Sequence, residues 1–84
     1  MYSLIEKYIN KLTIDDVNKF ALSKDCILSN EELKFTYSFI KKNWRELINN
    51  KFNIEQYKNH YSPENFTKIK KVYKEYFQKF SFLL

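Results

Sequence analysis

Apolar residues recur every three or four positions along most of this chain, and no strict alternation persists. The pattern therefore predicts helices rather than strands. Leu4, Ile5, Tyr8, Ile9 and Leu12 recur at helical spacing and mark a first helix over residues 2–11. Thr13 opens the next helix. In Thr13-Ile14-Asp15-Asp16 the hydroxyl can accept the third helical amide, and the two carboxylates sit where the helix dipole favours negative charge. Leu12 and Val17 are spaced for a hydrophobic staple, and Val17, Phe20 and Ala21 face inward before the helix ends near Lys24. Asp25-Cys26-Ile27-Leu28 reads as a short extended connector whose apolar side chains tuck under the neighbouring helices.

Ser29-Asn30-Glu31-Glu32 is a capping box, in which serine and a glutamate three residues later satisfy each other's backbone amides. Behind it Leu33, Tyr37, Ile40 and Trp44 form one stripe, widened by Phe35, Phe39, Leu47 and Ile48. Asn43 is a candidate break, so residues 30–49 form one helix or two. Asn49-Asn50-Lys51 is a turn, and Asn53 caps a short helix holding Ile54, Tyr57 and Tyr61. In Ser62-Pro63-Glu64 a capping serine precedes a proline suited to the first helical position and an acid that complements the dipole. The closing helix runs over residues 63–80 on Phe66, Ile69, Tyr73, Tyr76 or Phe77, and Phe80, followed by an apolar Ser81-Phe82-Leu83-Leu84. The predicted fold is all-α: a single domain over residues 1–84, a small bundle of four or five short helices around one aromatic-rich core.

Composition sharpens this picture. With 84 residues the chain buries only about 60–65% of its unfolded surface, so its core must be dense. Eight Phe, seven Tyr and one Trp supply that core, which argues against disorder despite 30% charged residues. There is no Gly, which disfavours tight hairpins, phosphate-cradling loops and turns with positive φ. The excess of Lys, Asn, Ile, Tyr and Phe is also what AT-rich codons produce without selection on the protein. The lone Cys26 excludes an internal disulfide and fits a reducing cytoplasm. The first residues lack a basic region followed by an apolar run, so no signal peptide is expected. No apolar stretch approaches membrane-spanning length, so no integral membrane association is expected.

The order of these signals carries a resemblance. Leu12-Thr13-Ile14-Asp15-Asp16-Val17, the connector Ile27-Leu28-Ser29, Phe39-Ile40 in the following helix, and a Ser62-Pro63-Glu64 start to a helix ending on Tyr76-Phe77 and Phe80 resemble a family of small uncharacterised proteins from low-GC Gram-positive bacteria, grouped as a domain of unknown function. The resemblance covers residues 9–80. It departs from the family at Trp44, where a more polar stretch is usual, and at Asn65-Phe66, where a small residue is usual. It implies a cytosolic helical bacterial protein and no particular activity.

The residues for chemistry are few. His60 is the only His and Cys26 the only Cys, far short of the four soft ligands of a structural zinc site. Nucleophilic catalysis would need a base, an orienting group and an oxyanion hole around one of them. Cys26 reads instead as a small core residue and His60 as a partly exposed residue before a helix. The carboxylate pairs Asp15-Asp16 and Glu31-Glu32 are accounted for by the helix starts they occupy. The expectation is no enzyme, no metal and no cofactor.

Two interaction readings remain. Phe35, Phe39, Phe52, Phe77, Phe82, Leu83 and Leu84 are more apolar side chains than four short helices readily bury. An exposed remainder would mark a partner site. This supports a non-catalytic protein-interaction module that binds another protein or itself as a homodimer, through Phe77, Phe80, Phe82, Leu83 and Leu84. The alternative is a small basic nucleic-acid-binding protein. Formal charge is +5 overall. It divides into −1 over residues 1–40 (five Lys, six acids) and +6 over residues 41–84 (nine Lys and one Arg, four Glu). Lys41, Lys42 and Arg45, with Lys68, Lys70, Lys71 and Lys74, would form the phosphate-binding patch. The helix–connector–helix of residues 13–42 faintly resembles small nucleic-acid-binding folds. With Lys in place of Arg almost throughout, bidentate base reading is limited, and a solvated amphipathic face explains the same lysines. A basic, aromatic closing helix is also compatible with lying on a membrane surface.

Overall fold

The structure, a computed structural model, describes residues 2–49 and 51–78. Helix α1 spans Tyr2–Asn10, α2 Ile14–Ser23, α3 Asn30–Ile48 and α4 Pro63–Gln78, with a 3-10 helix at Ile54–His60 between the last two. No strand occurs among the described residues. The starts lie where the capping residues place them. The Thr13 hydroxyl accepts the Asp16 amide while the Asp16 carboxylate accepts the Thr13 amide, and Ser29 and Glu32 form the same reciprocal pair. Asn53 caps the 3-10 helix through the Glu55 amide. Ser62 accepts the Asn65 amide at the head of α4. Asn43 leaves helical geometry (φ −123°, ψ 20°) and its amide donates to the Phe39 carbonyl, so α3 is one helix with a kink.

One apolar core joins all four helices. It contains Ile5, Ile9 and Leu12 from the α1 region, Val17 and Ala21 from α2, Cys26 from the connector, Phe39, Ile40, Trp44 and Leu47 from α3, and Phe66, Ile69, Val72, Tyr73, Tyr76 and Phe77 from α4. Burial shows which apolar positions face inward, and it corrects the expectations for the connector and for the first turns of α3. On α1 only the Ile5–Ile9–Leu12 line is buried. Leu4 and Tyr8 lie one step around the helix and are 57% and 50% exposed. In the connector Cys26 is buried and Leu28 half-buried, and Ile27 is 75% exposed because successive side chains of a non-helical stretch point to opposite sides. On α3 the stripe Leu33–Tyr37–Ile40–Trp44 is buried at Ile40 and Trp44 but not in the first turns. Leu33 and Tyr37 are half-buried, and Glu32 and Thr36 take the innermost positions of the first turns.

The Gly-free chain also makes a positive-φ turn. Asp25 has φ 58°. It ends α2 in a Schellman motif, with the Asp25 amide donating to Leu22 and the Cys26 amide to Ala21. Asp tolerates this conformation better than most residues because its short polar side chain suits the left-handed region. Buried Cys26 and Ala21 supply the apolar contact that accompanies the motif.

Helices α3 and α4 run in the same direction, because Glu32 meets the start of α4 while Leu47 and Ile48 lie beside Phe77 near its end. Residues 51–61 must therefore return along the whole seam. A 3-10 helix rises about 2.0 Å per residue against 1.5 Å for an α-helix, so its seven residues reach further. The return strip covers the seam with rings. Phe52 packs on Phe39 and Tyr73 (centroids 5.2 and 5.9 Å), Tyr57 on Phe39 (4.6 Å), and His60 lies flat on Phe35 (3.9 Å, 7°).

Candidate functional site

The two ends of the α3–α4 pair differ in chemistry. At the starting end Glu32, 8% exposed, holds both helices. Its Oε1 accepts the Ser29 amide and the Asn65 side-chain amide, both at 2.8 Å, and its Oε2 accepts the Ser62 amide at 2.7 Å. A capping box normally draws its carboxylate from its own helix. For α4, whose third residue is Asn65, Glu32 reaches across from α3 and fills that place while serving its own box as well. Asn65 also donates to the Ile27 carbonyl, tying in the connector. Burial pulls the Glu32 carboxyl upward, but the hydrogen bonds from Ser29, Ser62 and Asn65 outweigh it and leave it below its ordinary value. Beside this clasp a row of hydroxyls crosses the core. Thr36 donates to the Glu32 carbonyl (2.8 Å) and so accepts from Tyr61 (2.6 Å), which accepts from Tyr73 (3.2 Å). Burial pushes both tyrosine hydroxyls up and keeps them protonated.

At the finishing end the same helices border a groove. Between the end of α3, the return strip and the end of α4 lies a groove of about 520 Å³. Leu47, Ile48, Phe52, Ile54, Tyr73 and Phe77 make its apolar surface, and Lys70, Lys74 and Gln78 its polar edge. That volume falls within the roughly 300–1,000 Å³ of ligand-binding clefts. No carboxylate is among the described residues that line it.

No family model, no curated protein and no solved structure matches the chain. The site residues themselves carry the functional reading.

The structure divides the seven cations of the expected phosphate patch. Lys41 donates to the carbonyls of Ile9 and Asn10 (2.7 and 3.2 Å), capping the end of α1 where the dipole favours a cation. Arg45 pairs with Glu6 at 3.0 Å and lies over the Trp44 ring. Lys68 turns to the opposite flank, where it donates to the Asp25 carbonyl (2.9 Å) and pairs with Glu64 (3.7 Å). Lys70 lies over Phe66 and pairs with Glu55 at 3.3 Å. Lys42, Lys71 and Lys74 are exposed without an ion-pair partner among the described residues. Lys70 and Lys74 come together at the edge of the groove.

The apolar candidates are also redistributed. Phe39 and Phe77 are each 7% exposed and belong to the core, and Phe35 and Phe52 are half-buried against it. Phe77 contributes to the groove's surface rather than projecting into solvent. Phe80, Phe82, Leu83 and Leu84 lie outside the described residues. Cys26 is fully buried, and that burial, which Lys68 opposes, raises its thiol and keeps it in the less reactive protonated form. His60 is exposed. No group of three or more His, Cys, Asp or Glu among the described residues is placed to hold a metal. None of their helices is long and apolar enough to cross a membrane.

Proposed function

We propose that this chain is a non-catalytic protein-interaction module, a cytosolic member of the bacterial family it resembles, whose contact surface is the groove between the ends of α3 and α4. The observation that carries this reading is the contrast along that helix pair. The buried polar groups at the clasp are satisfied by one another, whereas apolar Ile48, Phe52 and Ile54 stand only half-buried at the groove. A concave apolar groove with a polar edge is the kind of surface into which a partner's amphipathic helix lays its apolar face. Whether the partner is another protein or a second copy is decided by experiment. Light scattering and affinity capture from cell extract, with wild type and Ile54→Glu side by side, are expected to show a complex that the substitution removes while the circular dichroism stays helical. Equal behaviour of the two proteins would defeat the groove as the contact surface.

The second reading, nucleic-acid binding, is supported by Lys42, Lys71 and Lys74, which are exposed and unpaired among the described residues. It requires that micromolar protein retard labelled duplex or single-stranded DNA at low salt, with steep loss as salt rises. Absence of retardation removes it.

A further inference from the structure

The docking reading leaves the chemistry of the occupant open, and the groove's edge narrows it. We propose that the groove receives an amphipathic helix of another protein whose apolar anchors are flanked by Asp and Glu; this rests on the groove being the docking surface. Lys70 and Lys74 line the edge with no carboxylate beside them in the lining. Lys74 is exposed and has no ion-pair partner among the described residues. Lys70 is held by Glu55 at 3.3 Å, but with side chains 42% and 56% exposed that pair is weak and readily exchanged for an incoming carboxylate. Half-buried Ile48, Phe52 and Ile54 offer the floor that the i, i+3, i+4 and i+7 anchors of a helix occupy.

The alternatives fit less well. A second copy brings a net charge of +5 to a basic edge. Its exposed Leu4 and Tyr8, spaced as helix anchors, are flanked by Lys7 and Lys11, and the one acid between them, Glu6, is already paired with Arg45. Single-stranded nucleic acid needs open ring faces for base stacking. Here Phe52 stacks on Tyr57 (6.0 Å, 26°), and Tyr73 and Phe77 are buried.

The test uses the full chain and two labelled helical peptides that share Leu anchors at i, i+3, i+4 and i+7, one with Glu and one with Lys at the flanking positions. Fluorescence anisotropy is expected to show saturable binding of the Glu peptide and at least about tenfold weaker binding of the Lys peptide, with affinity falling as salt rises. Lys74→Glu, an exposed change that leaves the core intact, is expected to weaken the Glu peptide about threefold to tenfold. Amide shifts on adding that peptide should cluster at Ile48, Ile54, Lys74 and Gln78. Equal binding of the two peptides would overturn the acidic partner while leaving the groove. Shifts elsewhere on the molecule would overturn the groove as well. A dimer that Ile54→Glu dissolves would make a second copy the occupant. Tighter peptide binding by Phe80→Glu/Leu83→Glu would assign the groove to the chain's own terminal segment. Either outcome overturns the proposal.

Discussion

The two ends of the α3–α4 pair meet opposite requirements with the same helices. At the starting end, one carboxylate accepts three hydrogen bonds and fixes where α4 begins relative to α3. At the finishing end the two helices border an apolar groove edged by Lys70, Lys74 and Gln78. A buried polar group tolerates little displacement, since each unmet donor or acceptor is costly, whereas apolar contact is non-directional and tolerates rearrangement. Placing these directional bonds at the starting end sets the register of α4 on α3 there.

The largest expected effect breaks the clasp. Glu32→Ala leaves the Ser29 and Ser62 amides and the Asn65 side chain without their acceptor, at about 3 kcal/mol, or roughly 12–24 °C in a thermal melt of a domain this size. A loss under about 1 kcal/mol would mean that water replaces the carboxylate and that the two ends do not differ as described. Acid should act on the same group. Glu32 sits below its ordinary 4.5 in the folded state, so its contribution is complete above that value and disappears as pH falls through the lower folded value. Asp16, lowered by the Thr13 backbone and hydroxyl, adds in the same direction. Melts taken at successive pH values below about 4.5 should fall steeply for wild type and less so for Glu32→Gln.

Next in size is Thr36→Val, nearly isosteric, which removes the hydroxyl that Tyr61 meets at 2.6 Å and should cost about 1–2 kcal/mol in chemical denaturation. Asp25→Gly should act the other way. It relieves the left-handed strain at φ 58° and should stabilise the fold by about 1 kcal/mol. A destabilisation instead would show that the Asp25 side chain contributes more than its backbone conformation costs. The smallest stability effect belongs to the groove. Lys74→Glu should stay within about 0.5 kcal/mol, while its effect on ligand binding is the one that matters.

The helix starts were legible because they rest on local chemistry. Thr13, Ser29, Asn53 and the Ser62-Pro63 pair each bond within three residues. Most of the α4 core was legible too, through the spacing of Phe66, Ile69, Tyr73, Tyr76 and Phe77. What escaped was set at long range. Locally, Glu32 reads only as the residue of its own capping box, and nothing local says that it also receives Ser62, thirty positions on. Only the first turns of α3 depart from the apolar stripe, because Glu32 and Thr36 are polar, and apolar periodicity cannot register a polar residue whose partners arrive from another helix. The seven cations looked like one patch because spacing locates them along a helix. Which neighbour each one turns to, α1 for Lys41 and Arg45 or the α2 turn for Lys68, depends on packing. The groove escaped for the same reason: its walls come from three segments that spacing treats separately.

The cross-helix sharing of Glu32 also bears on how the molecule is made. A nascent chain leaving the ribosome completes α1, α2 and α3 before the donors that Glu32 awaits have been synthesised. Until then its carboxylate has only its own capping box at Ser29, and the residues that cover the aromatic seam of α3 are missing. Arrival of residues 52–65 covers the seam and satisfies the carboxylate in the same event. The final helix thus acts as the fastener, and the three-helix stage before it is the window in which the chain depends most on not meeting another copy of itself.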